Sequence, residues 1–441
     1  MILKEIVLLS GKQVPMALQL ILYNITVPFL AGALKLFSRA FPRLQTFFEV
    51  RKNIFAELEK AAGNPTDKKP RIWVHAASAG EFEQARPVIA EVKKARPDAS
   101  VFISFQSDSG YTVYRNYADA KAVFYHPVDT KKNAEKTVAL IRPDVVMVMR
   151  YDFWPNHLYA SKKGGATLVL AAAVLQEHSI YFKPFVRWFY HSVFSLFDSI
   201  YTVSEKDRER FAKTFDRKDA LQAGDPRFDQ VLRRSESTGK IERLKNIYSE
   251  TTLLVAGSTW HKDEELLFPA YIALAEHLRM ILVPHDVSPG NIARIESSLE
   301  ASGIPCAKIS SLPDDFSAKQ VLVVDKIGLL AELYVLAKIA YVGGGFGVNV
   351  HNTLEPAVYG IPVLFGPNHH NSPEAEELVE IQAATEIHDE ASLLNALRKL
   401  VENPGTRELQ GNIAGRYIRN HLGASKTVAE KILNTINGLT K

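Results

Sequence analysis

A carboxylate at the end of a buried strand can take a proton from a bound hydroxyl, and the run Trp73-Val-His-Ala-Ala-Ser-Ala-Gly-Glu81 puts one there. Ser78, Ala79 and Gly80 are small enough for another molecule to approach the backbone closely. Glu81 also stands where a helix begins, so stabilising that helix N-terminus is an equally ordinary use of its charge. A second segment, Gly343-Gly-Gly-Phe-Gly-Val-Asn-Val-His-Asn-Thr-Leu-Glu355, follows an apolar run. Glycines in that position bring backbone N–H groups near a phosphate. Val348 breaks the GxGxxG fingerprint, which counts against a dinucleotide site. Asn352 and Glu355 share a face if helical, and Glu355 suits a ribose diol, although a glycine turn with helix packing explains the same spacing. In the third segment, Ala256-Gly-Ser-Thr-Trp-His261, Ser258 and Thr259 can donate to a phosphate or sugar, or serve as helix caps before Asp263, Glu264 and Glu265. Val283-Pro-His-Asp286, with His285, and Met149-Arg-Tyr-Asp-Phe-Trp-Pro-Asn156 end two further apolar runs. His351, His369 and His370 read as surface or phosphate-contacting histidines rather than metal ligands, because no acidic pair stands at ligand spacing nearby.

The elements that must hold these segments alternate short apolar runs with charged helical ones. Strands are expected at Arg71–Ala76, Val101–Phe105, Ala122–Tyr125, Asp144–Met149, Thr167–Ala172 and Ser199–Val203. The rhythm restarts with Thr252–Ala256, Met280–Pro284, Gln320–Val324, Ile339–Val342 and Pro362–Phe365. Most of these runs are continuous rather than alternating, as in strands covered on both faces of a parallel sheet. The order predicts an α/β chain of two doubly wound, Rossmann-like domains, with ligands beyond the carboxyl ends of the strands and the cleft between the domains as the default active site. Expected regions are an N-terminal membrane-associated helix at 1–45, a first α/β domain at 46–235, a linker at 236–250, a second α/β domain at 251–420 and a C-terminal helix at 421–441.

Composition narrows the classes. The 441 residues, 46% hydrophobic and 23% charged, suit two or three globular domains. A net charge of +4 lacks the basic footprint of a dedicated nucleic-acid binder. The single cysteine, Cys306, rules out an intrachain disulfide and any site built from several cysteines. Met16 to Phe37 is apolar for about the length of one membrane span. The basic residues Lys35, Arg39, Arg43, Arg51 and Lys52 follow it, which favours a cytoplasmic side for what comes next and suits anionic headgroups. A buried or interfacial helix is the alternative.

Together these motifs resemble the Kdo transferases, which move 3-deoxy-D-manno-oct-2-ulosonic acid onto lipid A precursors. WVHAASAGE is similar to that family's HA-x-S-x-GE, GSTWHKDEE to GST-x-H-x-x-EE, Ala223 to Val231 to G-D-x-RFD, and HNTLEPAVYGIPVLFGP to HN-x-LEP-A with PV-x-FGP. The resemblance implies a GT-B type glycosyltransferase at the cytoplasmic face of the bacterial inner membrane, with CMP-Kdo as donor substrate and no metal or cofactor. It implies Glu81 as general base and Asn352 and Glu355 on the nucleotide side. Ser258, Thr259, His285, Gly343, Gly344 and Gly345 are assigned to the donor with them, and Ser78, Gly80 and Arg51 to the lipid acceptor. Another GT-B enzyme using a UDP-sugar, or a non-catalytic nucleotide-sugar binder, are the competing readings. The chain departs from the family at Arg150-Tyr-Asp152, where E-T-E is usual, at Ala172 to Ser179, which lacks two arginines, and at Pro284-His285-Asp286 in place of P-R-H.

Overall fold

The computed structural model describes residues 14–63, 70–236 and 241–438. Parts of the expected regions 1–45, 236–250 and 421–441 lie outside the described residues. The chain forms two compact units, Met1–Gln230 with Gly423–Lys441, and Val231–Leu422.

The first unit is a seven-stranded sheet of order β3-β2-β1-β4-β5-β6-β7. Its strands are β1 Arg71–Ala76, β2 Ser100–Phe105, β3 Ala120–Tyr125, β4 Val145–Met149, β5 Thr167–Ala173, β6 Ser199–Thr202 and β7 Leu221–Gln222. Every pairing is parallel. Helices cover both faces, which is why β1, β2 and β4 are buried at every residue. The two-residue period sorts β1 onto two cores. Ile72, Val74 and Ala76 pack with Phe82, Val88 and Val92 of the helix Ala79–Ala95, while Trp73 faces Phe102, Phe124 and Val146 on the other side. The C-terminal helix Ala424–Gly438 completes the first core: Val428, Ala429, Ile432 and Ile436 join that cluster. Asp229 fixes the start of this helix, its carboxylate accepting from the N–H groups of Gly423 (2.7 Å) and Ser425 (2.8 Å). The RFD block thus has a fold role. Asp225, also buried, accepts from Gln84 (3.0 Å) and from the Arg227 backbone and guanidinium (2.8 Å each).

The second unit repeats the plan, in the order β10-β11-β9-β8-β12-β13-β14. Its strands are β8 Leu253–Thr259, β9 Arg279–Pro284, β10 Cys306–Lys308, β11 Val321–Val323, β12 Ile339–Val342, β13 Val363–Phe365 and β14 Ala384–Glu386, all parallel. In each sheet the order reverses beside its first strand, at β1/β4 and at β8/β12. Such switch points leave an open crevice at the strands' carboxyl ends.

The expected N-terminal helix is present as Val14–Phe37. The stretch Gln19–Ala40, of mean hydropathy 1.7, is long and apolar enough to cross a membrane. Ile25, Phe29, Leu30, Leu36 and Phe37 expose most of their surface. The polar residues of one side tie it to the first unit. Gln19 donates to the carbonyl of Trp188 at 3.1 Å, and the Tyr23 hydroxyl donates to Asp129 at 2.8 Å.

Candidate active site and nucleotide site

Glu81 lies at the β1 side of the first switch point. Ser78 caps the helix Ala79–Ala95, its hydroxyl accepting from the Glu81 N–H at 3.4 Å, and the Glu81 carboxylate accepts from the Ala77 N–H at 2.6 Å. The carboxylate therefore braces the turn that leads into the helix, and it is 6% exposed. Burial pushes its pKa above the ordinary glutamate value and the charge of Asp152 pushes the same way; the Ala77 bond, His75 and Arg150 oppose them. A carboxyl displaced upward is a better proton acceptor near neutral pH than an ordinary one. Gly80 is exposed, and a side chain there would meet nothing closer than 3.9 Å, so the turn beside Glu81 is open.

Asp152, at the β4 side of the switch, accepts from or pairs with His75 Nε2 at 2.9 Å, and His75 Nδ1 lies 2.8 Å from the Ser104 hydroxyl, which accepts from Trp73 at 2.8 Å. His75 and Asp152 form a pair that the spacing in the sequence did not reveal. Its signal was the two-residue period, which puts His75 on the same face of β1 as Trp73. Arg150, two residues before Asp152, takes a left-handed backbone conformation, φ +57°, a strained geometry for a residue with a side chain. A small pocket of about 10 Å³ adjoins the pair, lined by Trp73, His75, His126, Asp152, Trp154 and His157. His126, Asp129 and His157 are close enough together to hold a metal ion. The Asp129 carboxylate, however, already accepts from Tyr23, from the N–H groups of Asn156 and His157 (3.1 Å each) and from His157 Nδ1 (2.6 Å). These bonds account for its burial.

Arg51, assigned to the acceptor, is engaged by three carbonyls, those of Phe47 (3.1 Å), Gln106 (2.8 Å) and His126 (3.0 Å), and its guanidinium lies 3.7 Å above the Phe47 ring. Its donors thus fasten the segment before β1 to the sheet.

In the second unit the three glycines are explained first by packing. A Cβ on Gly343 would stand 2.3 Å from the Ser258 carbonyl oxygen, and one on Gly345 would stand 2.6 Å from the Gly366 nitrogen. Gly344 has φ +92°. The N–H of Gly343 donates to the Gly257 carbonyl and that of Gly344 to Asp263, so neither is free for a phosphate. Thr259 is buried, with its hydroxyl donating to Glu264 at 3.1 Å. Ser258 is half-buried and left-handed, φ +54°. Asn352 is exposed and accepts from the Leu354 N–H at 3.1 Å. Glu355 pairs with Arg234 at 3.0 Å, a partner its neighbours in sequence did not announce. His285 is exposed. His369, expected at the surface or on a phosphate, is instead buried and bonded to Glu386 at 2.6 Å, and His370 reaches Glu376 at 3.0 Å.

Two parallel sheets of Rossmann-like order, each with its candidate residues at the switch point, make a fold of the GT-B type. A solved UDP-GlcNAc 2-epimerase from Neisseria meningitidis has a similar fold, with a TM-score of 0.59 at 15% identity, over 82% of this chain and 99% of that one. Sequence carries the likeness further. The family model described as 3-deoxy-D-manno-octulosonic-acid transferase (kdotransferase) matches residues 50–230. The 3-deoxy-D-manno-octulosonic acid transferase of Aquifex aeolicus is 28% identical over 365 residues, 80% of this chain and 91% of the relative. That of Chlamydia muridarum is 28% identical over 360 residues, 80% of this chain and 83% of the relative. The chain is similar to Kdo transferases over most of its length, as its motifs imply.

Proposed function

We propose that this protein transfers Kdo from CMP-Kdo to a lipid A precursor in lipopolysaccharide core biosynthesis, as an inverting, metal-independent glycosyltransferase. The observation that carries the reading is the buried, upward-shifted Glu81 carboxylate at the open turn of a chain whose relatives bear the name of that transferase. Glu81 takes the proton of the acceptor hydroxyl as that oxygen bonds to the anomeric carbon, and the sugar–phosphate bond breaks to release CMP. CMP is a good leaving group, so donors in the second unit suffice to receive the charge on its phosphate. The apolar helix at Gln19–Ala40 and the basic residues after it support a place at the cytoplasmic face of the inner membrane, where a lipid acceptor is met.

The test is to incubate the full-length protein with a CMP-Kdo-generating system and a tetraacylated lipid A precursor and to weigh the lipid. A gain of one or more Kdo units is expected, and EDTA should leave it intact; activity lost in EDTA and restored by a divalent ion overturns the metal-independent step. CMP rather than UDP should protect the protein in a thermal shift. Glu355→Ala should weaken CMP binding in calorimetry by about three- to tenfold, the worth of one good hydrogen bond. Unchanged affinity would remove Glu355 from the ribose and leave it as the partner of Arg234.

A further inference from the structure

We propose that Trp260 is a positioning residue of the donor site: its indole N–H fixes the tautomer of His351, so that the imidazole presents Nδ1–H to the phosphate of a nucleoside monophosphate donor. The proposal rests on the CMP-sugar reading above. Trp260 follows β8, His285 follows β9 and His351 closes the glycine turn after β12, so three adjacent strands bring three rings together. The rings of Trp260 and His285 are 4.6 Å apart and inclined by 26°, those of His285 and His351 4.4 Å apart and inclined by 15°. Trp260 Nε1 lies 3.0 Å from His351 Nε2.

An indole nitrogen only donates. His351 Nε2 must then be the acceptor, and the proton of the neutral ring sits on Nδ1. Among the described residues no protein acceptor meets that Nδ1. The ring is also held mechanically. Its backbone N–H donates to the Gly343 carbonyl at 3.1 Å, and a side chain on Gly344 would stand 2.9 Å from His351 Cδ2 and 3.2 Å from Nε2. The absence of that side chain makes the space the imidazole fills. Burial and the facing His285 both push His351 below the ordinary imidazole range, and Asp263 opposes them, so the ring is neutral when it donates. Trp260 is 45% exposed and His285 is exposed, at the carboxyl ends of strands flanking the β8/β12 switch, where a ligand of such a sheet docks. A neutral, fixed N–H aimed at a phosphate oxygen stabilises charge as it grows on the leaving group without reorganising.

The test is Trp260→Phe, which keeps an aromatic ring in the stack and deletes the N–H, read in the full-length protein by long-range nitrogen–proton NMR on labelled histidine and by CMP calorimetry. The wild type should show His351 protonated at Nδ1, with that resonance moving when CMP is added. The variant should mix the two tautomers, titrate at higher pH and bind CMP about three- to tenfold more weakly. His351 protonated at Nε2 in the wild type overturns the tautomer. A CMP complex that leaves the Nδ1–H resonance in place, or a variant with wild-type affinity, overturns the phosphate contact. A wild type that does not bind CMP at all fails the donor reading itself, a result distinct from the other two.

Discussion

Glu81→Ala is expected to lower the rate of Kdo transfer by roughly 10²- to 10⁴-fold, the usual range for a general base, with CMP affinity little changed. The alanine alone would not prove chemistry. It also deletes the acceptor of the Ala77 N–H, a hydrogen-bond loss of about 0.5–1.5 kcal/mol in the turn before the helix. Glu81→Gln separates the two roles, because the amide oxygen still accepts from Ala77 but cannot take a proton. A glutamine variant that melts like the wild type and has lost its turnover assigns the proton transfer to Glu81; one that turns over normally leaves the residue a brace of the turn before the helix. The pH profile gives an independent reading. The ionised form is the base, so activity falls as pH drops through the Glu81 pKa. Burial and Asp152 raise that pKa, so the acidic limb of kcat/KM should lie above the ordinary glutamate value of about 4.3. Asp152→Asn removes one repelling charge and should move the limb to lower pH. A limb at or below the ordinary value, unmoved by that substitution, would take Glu81 out of the mechanism.

What the sequence disclosed follows from what each element buries. Arg71–Ala76 and Ile339–Val342 begin and end where the apolar runs do, because both lie inside their sheets with every residue covered. The three strands that escaped notice, Leu221–Gln222, Cys306–Lys308 and Ala384–Glu386, are the edge strands β7, β10 and β14. An edge strand has one neighbour and less cover, so it needs no continuous apolar run, and none of the three is buried throughout. The return of Ala424–Gly438 to the first unit was also hidden, since an amphipathic period does not say which core it serves. The motifs were legible as segments but not as partnerships. His75 with Asp152, Glu355 with Arg234 and Trp260 with His351 are each separated by more than 70 positions in the chain, and only the strand order brings them together. The glycine run carried two meanings that spacing could not separate. A glycine needed so that a ligand can approach and a glycine needed so that a neighbouring strand can approach look the same in sequence.

Gly343→Ala and Gly347→Ala tell those meanings apart, and the first is expected to be strongly destabilising. A Cβ on Gly343 would lie 2.3 Å from the Ser258 carbonyl oxygen and 2.7 Å from the Thr259 Cα, both backbone atoms, and Ser258 already has φ +54°. Nothing flexible can yield, so β8 and β12 must part at the switch point. Overpacking of this kind costs about 1–3 kcal/mol, and the rigid neighbours place Gly343 at the upper end. Gly347, four residues on, is exposed, and a Cβ there would meet only the Gly344 carbonyl at 3.4 Å, an ordinary contact. Its replacement should change stability by no more than about 0.5 kcal/mol. Urea unfolding of the two variants against the wild type measures the difference. If both melt like the wild type while Gly343→Ala loses CMP binding, the glycine serves the ligand and not the sheet. If Gly343→Ala is the unstable one and Gly347→Ala still binds CMP, the run is a packing device, and recognition of the donor falls to the side chains that surround it.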